Sequence, residues 1–323
     1  MTQPQTKPKL LVLLGPTASG KTKLSIEIAK RFGCEIISGD SMQVYKRMNI
    51  GTAKITPEEM QGIPHYMINI HEPDYPFSAA EFQESASSAI RDISSRGKLP
   101  FVVGGTGLYI ESLCYSYEFS ESGSDEAFRE EQYSFAARNG AEALHDILKK
   151  ADPPTAERLH PNDLRRVVRA LEILHTTGIP VSEQLEGQKK VSPYELCIVG
   201  LTMERDLLYK RIEERIDLMM EQGLVDEVRH LLAEGCPRSA ISLKAIGYKE
   251  ILGFLDGEYT LERAVYLLKR NTRRFAKRQL SWFRHMNDIQ WVDVTDLDNF
   301  HKHMERISGI ITETLKIDDT QLT

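Results

Sequence analysis

The chain of 323 residues contains little cysteine and no long hydrophobic run. Its four cysteines, Cys34, Cys114, Cys197 and Cys236, are widely scattered and form no C-x-x-C pair, which argues against a zinc site and a disulfide framework. No apolar run approaches the roughly 18 residues of a membrane-spanning helix. The polar first nine residues lack the apolar region of a signal peptide. These absences predict a cytoplasmic protein without a membrane partner.

Acidic residues are missing from one stretch, 263–287, although the net charge of the whole chain is −6. The net charge argues against a nucleic-acid ligand, but the stretch holds eight basic residues: Arg263, Lys269, Arg270, Arg273, Arg274, Lys277, Arg278 and Arg284. A solvated basic face is one interpretation. The lack of glutamates for i,i+4 pairing favours a polyanion instead. The helical spacing of Val265, Leu268, Phe275, Gln279, Trp282 and Met286 predicts an opposite face that packs on the core.

A phosphate-binding loop is the most specific motif present. Residues 15–22 fit the pattern G-x-x-x-x-G-K-[ST], after a short apolar run typical of a buried strand and before a predicted helix over 21–32. In this context backbone N–H groups approach a phosphate or diphosphate, Lys21 adds a positive charge, and the Thr22 hydroxyl ligates Mg²⁺. The residues predicted to form this cradle are Gly15, Pro16, Thr17, Ala18, Ser19, Gly20, Lys21 and Thr22.

The apolar runs 34–38, 99–103 and 196–201 are three further predicted strands, with helices between them. One of these helices is predicted over 78–96, because Ser78 and Glu81 have the spacing of a capping box. This alternation predicts an α/β fold, a P-loop NTPase-like parallel sheet with helices on both faces. Residues 120–191 are rich in charge and helix formers and contain no buried-strand run, so they predict a helical insertion domain with helices over 127–150 and 163–176. The core domain then comprises residues 1–119 and 192–323, and its C-terminal helices include the basic stretch that favours a polyanion.

Asp40 directly follows the second predicted strand, and three roles for it are open: general base, Mg²⁺ ligand, or turn aspartate. The run 99–103 ends in Gly104-Gly105-Thr106-Gly107, so the acidic motif of an ordinary ATPase is missing there. Ligands bind at the carboxyl ends of parallel strands, so Gly15, Asp40 and residues 104–107 are expected to meet at one crevice.

Seven motifs, in order along nearly the whole chain, together resemble the bacterial tRNA dimethylallyltransferases. They are GPTASGKT at 15–22, DSMQVY at 40–45, NIGTAK at 49–54, VGGTGLY at 103–109, NDLRR at 162–166, AIGYKE at 245–250 and KRQLSWFR at 277–284. The resemblance implies transfer of a dimethylallyl group from dimethylallyl diphosphate to N6 of an adenosine. That adenosine lies 3′-adjacent to the anticodon in tRNAs that read codons beginning with U.

The resemblance also implies residue roles. Asp40 corresponds to the general base, while Lys21, Thr22 and Arg215 act on the donor diphosphate, with Mg²⁺ held at Thr22. The partner is the anticodon stem-loop of tRNA, and the enzyme is expected to be a monomer. The positions implied to contact tRNA are Asp40, Ser41, Met42, Gln43, Thr106, Arg129, Asn162, Arg165, Arg166, Lys244, Lys249, Lys277, Arg278 and Arg284.

Two other functions compete with this interpretation. One is an ATP-dependent P-loop kinase of a nucleoside or small metabolite, and the other is a non-catalytic RNA-binding NTPase switch. A kinase function does not explain the basic stretch 263–287. A switch function does not explain the presence of Asp40 beside the phosphate loop.

Overall fold

The structure is a computed structural model that describes residues 7–119, 125–186 and 191–317. Its strands are β1 Lys9–Leu14, β2 Cys34–Gly39, β3 His65–Tyr66, β4 Leu99–Gly104, β5 Glu195–Thr202 and β6 Ile289–Asp293. Its helices are α1 Lys21–Phe32, α2 Pro57–Met60, α3 Ala79–Ser95, α4 Gly107–Tyr115, α5 Glu126–Asn139, α6 Ala141–Ala151, α7 Pro153–Arg158, α8 Leu164–Thr177, α9 Val181–Glu186, α10 Arg205–Glu221, α11 Leu224–Ala233, α12 Tyr248–Leu255, α13 Leu261–Phe283 and α14 Phe300–Leu315.

The six strands form one parallel sheet in the order β3-β2-β4-β1-β5-β6. Gly104 is in register with both Leu14 and Gly39, so β1, β2 and β4 end at the same level. The residues that follow these three ends are Gly15, Gly105 and Asp40. The sheet register therefore brings the phosphate loop, the Gly-Gly turn and the aspartate to one edge.

Helices cover both faces of the sheet, as the sequence predicts. The connection from β1 through α1 to β2 and the connection from β2 through α3 to β4 run in opposite directions across the sheet. Because such crossovers are right-handed, α1 and α3 lie on opposite faces. Helix α14 packs beside α1, and α4 packs beside α3. The predicted α/β fold with a parallel sheet is confirmed.

Local capping chemistry sets where two of these helices begin. Helix α1 starts after Gly20, whose φ of 92° lies in the left-handed region that glycine adopts without steric cost. Helix α3 starts at a capping box: the Ser78 hydroxyl accepts the Glu81 N–H at 3.2 Å, and the Glu81 carboxylate accepts the Ser78 N–H at 2.9 Å. Both starts agree with the sequence-based predictions.

The described residues divide into two compact units, one formed by residues up to 116 and from 192 onward, the other by residues 117–191. The second unit is helical and has its own core, which includes Leu144, Leu148, Val167 and Val168. The predicted start of the insertion, residues 120–124, lies outside the described residues. Across the parts of the chain that the structure describes, no helix is both long and apolar enough to cross a membrane.

Three local features of the structure differ from what the sequence predicted, each for a physical reason. A single helix over residues 127–150 is broken at Gly140, whose φ of 90° and ψ of 158° are not helical, into α5 and α6. Strand β6 was not predicted, because it is an edge strand whose only buried side chain is Val292. On α13, Trp282 is 38% exposed, whereas the core face is completed by Ala264, Ala276 and Phe283.

Candidate active site

The phosphate loop is held in shape by Lys21 itself. The Lys21 ammonium donates hydrogen bonds to the carbonyls of Gly15, at 2.9 Å, and Pro16, at 2.7 Å. Burial and, to a smaller extent, the Arg215 charge lower the pKa of Lys21 to about 7, although the Asp40 charge opposes the shift. A bound anion would therefore favour the protonated, positively charged form of Lys21.

A cavity of about 450 Å³ opens at the carboxyl ends of the strands, beside this loop. Basic side chains in its lining are Lys21, Arg215, Lys244, Lys249 and Arg278. Apolar residues in its lining are Ile36, Ile55, Ile68, Val103, Ile212, Ile216, Met219, Ile246, Leu268 and Phe275. Asp40 is the only acidic residue among the described residues of the lining. The cavity thus combines an anion cradle, an apolar wall and one carboxylate.

Asp40 is held by a turn that also places it in the cavity. Its Oδ1 accepts the Met42 N–H at 2.8 Å, as in an Asx turn. Burial raises the pKa of Asp40, while the N–H of Met42, the charge of Lys21 and the N–H of Gln43 oppose the shift. The turn role that the sequence left open is therefore compatible with a role in chemistry, because the turn fixes the direction of the carboxylate.

Thr106 connects the Gly-Gly turn to the segment that follows Asp40. Its hydroxyl oxygen accepts the Ser41 N–H at 3.0 Å and lies 3.3 Å from the Ser41 hydroxyl. The approach of the two strand ends requires glycine at position 104, because a Cβ there would lie 2.3 Å from the Gly39 carbonyl oxygen. The geometry of β2 and β4 therefore positions Ser41 and Thr106 together in the cavity lining.

Gln279 of α13 is a site residue that the sequence interpretation assigned only to the core. Its side-chain oxygen accepts the Thr17 N–H at 3.0 Å, and its nitrogen donates to the Gly105 carbonyl at 2.9 Å. With 6% of its surface exposed, it bridges the phosphate loop and the Gly-Gly turn from inside the protein. The sequence signal for this role was a single glutamine in an otherwise apolar helical stripe. A buried amide needs hydrogen-bond partners, so such a glutamine indicates a polar contact inside the protein.

Two arginines of α10 reach the phosphate loop. Arg211 Nε donates to the Ala18 carbonyl at 2.8 Å, so it braces the loop from the side. Arg215, one helical turn later, lines the cavity, and both its burial and the Arg211 charge lower its pKa. The geometry therefore places both arginines at the phosphate loop.

Several predicted tRNA-contact residues line the same cavity: Asp40, Ser41, Met42, Gln43, Thr106, Lys244, Lys249 and Arg278. Lys277 and Arg284 are exposed on or at the end of α13 but are outside this lining. The remaining four, Arg129, Asn162, Arg165 and Arg166, belong to the second compact unit. There Arg129 forms ion pairs with Glu126, at 2.6 Å, and with the buried Glu172, at 2.9 Å.

The basic stretch on α13 is partly neutralised by acids of another helix. Arg273 pairs with Glu213, and Lys269 pairs with Asp217 at 2.6 Å, both partners lying on α10. Some charges of the stretch therefore have counter-ions on another helix, although the stretch itself contains no acidic residue. Exposed members such as Arg274, Lys277, Arg278 and Arg284 still present positive charge on this helix.

The donor set at the loop fits Mg²⁺ bound together with a phosphate ligand. Mg²⁺ keeps several waters and takes one or two protein oxygens plus substrate phosphates, so it needs no complete protein cage. The described residues contain no cluster of three or more His, Cys, Asp or Glu that could hold a metal. The oxygen-bearing side chains of Thr22 and Asp40 do line the cavity beside Lys21.

Comparison with known proteins shows consistent similarity. A family model described as IPP transferase matches residues 43–286. The tRNA dimethylallyltransferase of Bacillus licheniformis is 54% identical over 97% of this chain and 99% of its own length. That of Geobacillus thermodenitrificans is 51% identical over 96% of this chain and 98% of its own.

Two solved structures are similar as well. A full-length tRNA isopentenylpyrophosphate transferase from Bacillus halodurans has a TM-score of 0.72 and 50% identity, covering 96% of this chain and 99% of its own. A eukaryotic dimethylallyltransferase acting on tRNA has a TM-score of 0.82 and 32% identity, covering 96% of this chain and 79% of its own.

Proposed function

The chain belongs to the IPP transferase family, and we propose that it transfers a dimethylallyl group from dimethylallyl diphosphate to N6 of a tRNA adenosine. The acceptor is the adenosine 3′-adjacent to the anticodon in tRNAs that read codons beginning with U. The products are N6-(dimethylallyl)adenosine and diphosphate.

The observation that carries this proposal is the composition of the cavity lining. The phosphate loop and Arg215 form a cradle for the diphosphate, and the apolar wall suits a five-carbon allyl chain. Asp40 is the only acidic side chain among the described lining residues. A donor with one anionic end and one apolar end matches the two kinds of side chain in this lining.

The reaction forms one N–C bond and breaks one C–O bond. Negative charge grows on the departing diphosphate, where Lys21, Arg215 and the loop N–H groups stabilise it. Nitrogen N6 loses a proton as its new bond forms, and we propose that Asp40 accepts that proton. The apolar wall limits the access of water to the reactive allylic carbon.

Thr22 is the residue whose hydroxyl would hold Mg²⁺ in this cradle. When bound there with the donor phosphates, Mg²⁺ supplies further neutralisation of the leaving group. The protein's own share of the stabilisation comes from Lys21, Arg215 and the backbone of residues 15–22.

The acceptor adenosine must leave the anticodon loop to reach Asp40, and extrusion costs less from a loop than from a duplex. We propose that Ser41, Met42, Gln43 and Thr106 receive the extruded nucleotide, and that Lys244, Lys249 and Arg278 hold nearby phosphates. For the stem we propose contacts from Arg129, Asn162, Arg165, Arg166, Lys277 and Arg284. We propose that the protein acts as a monomer.

One assay tests the proposal against its rivals. The protein is incubated with unmodified tRNA, Mg²⁺ and either dimethylallyl diphosphate or ATP, and the RNA is analysed by mass spectrometry after nuclease digestion. We expect a five-carbon mass gain on one adenosine with dimethylallyl diphosphate alone. Phosphate transfer from ATP to RNA or to a nucleoside, without prenylation, would replace this proposal with the kinase.

A further inference from the structure

Trp282 is an exposed aromatic side chain whose orientation is fixed. It lies near the end of α13, and 38% of its surface is exposed. Its indole N–H donates to the carboxylate of Glu111, which is buried in α4, at 2.9 Å. A large apolar ring held in one orientation at a surface is suited to contact with another planar group.

One face of this ring lies against the backbone of Gly107. A Cβ on Gly107 would lie 2.5 Å from Cδ1, 2.6 Å from Cγ and 2.9 Å from Nε1 of Trp282. Three adjacent ring atoms at similar distances place Gly107 over the face of the five-membered ring, because an edge approach would leave two of them distinctly farther away. The glycine therefore packs against one face of the indole.

This ring lies directly beside the proposed acceptor cavity. Along α13, Arg278 lines the cavity, and Trp282 follows it by one helical turn. Its backing residue, Gly107, directly follows Thr106, which also lines the cavity. The Trp282 ring backed by Gly107, which we call the platform, therefore lies next to residues of the cavity lining. The positive charge of Arg278 is on the same side of the helix.

We propose that the exposed face of Trp282 stacks on a base that neighbours the extruded adenosine. This inference rests on the proposed function. Extrusion removes the stacking between the adenosine and its neighbours, and an aromatic side chain restores stacking for one base at a time without regard to its identity. Arg278 would hold the adjoining backbone phosphate. The residue thus acts in RNA positioning and not in the chemical step.

The first test uses the fluorescence of Trp282 in the folded enzyme. The chain contains only two tryptophans, so a Trp291→Phe variant leaves Trp282 as the sole indole fluorophore. Trp291 lies on the edge strand β6, outside the cavity lining. We expect an anticodon stem-loop RNA to quench this fluorescence, and an abasic substitution at one of the two neighbours of the target adenosine to abolish the quenching.

Two outcomes of this titration would overturn the proposal. One is bound RNA, detected by fluorescence anisotropy of a labelled stem-loop, without quenching. The other is quenching of equal size with intact RNA and with both abasic RNAs. Prenyl transfer by the same variant is measured in parallel, so a protein that transfers the group but shows no stacking contradicts the platform alone. A protein that transfers no group contradicts the proposed function.

The second test is kinetic. Trp282→Leu is expected to raise KM for RNA by about tenfold, within the range for loss of one stacked base, with KM for dimethylallyl diphosphate unchanged. Trp282→Phe should recover most of the loss. The matched control is Tyr266→Leu, which removes a 51% exposed aromatic from the same helix, 16 residues and roughly 24 Å away. Equal effects of Trp282→Leu and Tyr266→Leu would contradict a specific platform.

Discussion

Lys21 and Asp40 form an opposed pair of charges in the cavity. Burial lowers the pKa of Lys21 to about 7 and raises the pKa of Asp40, so burial favours the neutral form of each. Each charge counteracts the shift of the other. A diphosphate in the cradle would favour the charged form of Lys21, so the donor itself sets the charge state of the site.

Removal of the Asp40 carboxylate should impair chemistry more than binding. For Asp40→Asn we expect turnover to fall by about 100-fold or more, the usual contribution of a general base, with RNA affinity changed little. Wild-type turnover should rise with pH as Asp40 ionises, at a pH above that of an ordinary aspartate, and the variant should lack this rise. Single-turnover prenylation across pH measures both effects, and unimpaired turnover in Asp40→Asn would remove it as the base.

Donor binding should depend on the protonation of Lys21. Because its pKa is lowered to about 7, the ammonium form is lost as pH rises through 7, and affinity for dimethylallyl diphosphate should fall between pH 6.5 and 8.5. Calorimetry in buffers of different ionisation enthalpy should show proton uptake on binding at pH 8. Lys21→Arg, which stays charged throughout, should show neither effect. Identical pH profiles for the two proteins would contradict this role.

At the scale of elements, α13 connects the parts of the site. Gln279 bonds both the phosphate loop and the Gly-Gly turn, and Trp282 bonds Glu111 of α4. A Cβ at Gly105 would lie 2.3 Å from the Gln279 side-chain nitrogen, so the turn and the helix fit closely. One helix therefore couples the donor cradle to the acceptor side of the cavity.

Gln279→Leu should reduce both stability and donor binding. The change leaves the part-buried Thr17 N–H and the buried Gly105 carbonyl without their partner. A fully buried unsatisfied group costs roughly 1–3 kcal/mol, and the part-buried N–H costs less. Gln279→Glu, which still accepts from Thr17 but cannot donate to Gly105, should lose less donor affinity than Gln279→Leu. Denaturant unfolding and KM for the donor measure the two effects. A stable Gln279→Leu protein with normal donor KM would show that the bridge is dispensable.

At the scale of the whole molecule, the distribution of charge matters more than its sum of −6. Basic side chains gather at the cavity and along α13, while α10 supplies acids that neutralise Arg273 and Lys269. Exposed arginines without such neighbours are therefore better candidates for phosphate contacts than the basic stretch as a whole.

Charge reversal at Arg274, which is exposed on α13, should weaken RNA binding and reduce the slope of log affinity against log salt by about one. The matched control is Arg229→Glu on α11, an exposed arginine that pairs with Asp226 at 2.8 Å and lies outside the cavity lining. Titrations at several salt concentrations compare the two. The same loss in both variants would show a response to net charge and not a local phosphate contact.

Local patterns in the sequence determined the four central strands, the phosphate loop and the start of α3, because apolar runs, glycine spacing and capping residues act between near neighbours. The order of motifs was enough to identify the family. The two-residue strand β3 and the edge strand β6 carry little of this local signal. The break at Gly140 depends on its non-helical backbone conformation, which the helix-favouring residues around it do not indicate.

Only the tertiary structure decided which distant side chains meet. The register that aligns Gly104 with Leu14 and Gly39 brings three strand ends to one edge, and the packing of α13 against it turns Gln279 into a bridge. The same packing pairs Arg273 with Glu213 and leaves Trp282 on the surface. These outcomes depend on contacts between residues far apart in the chain, for which helical spacing within α13 carries no information.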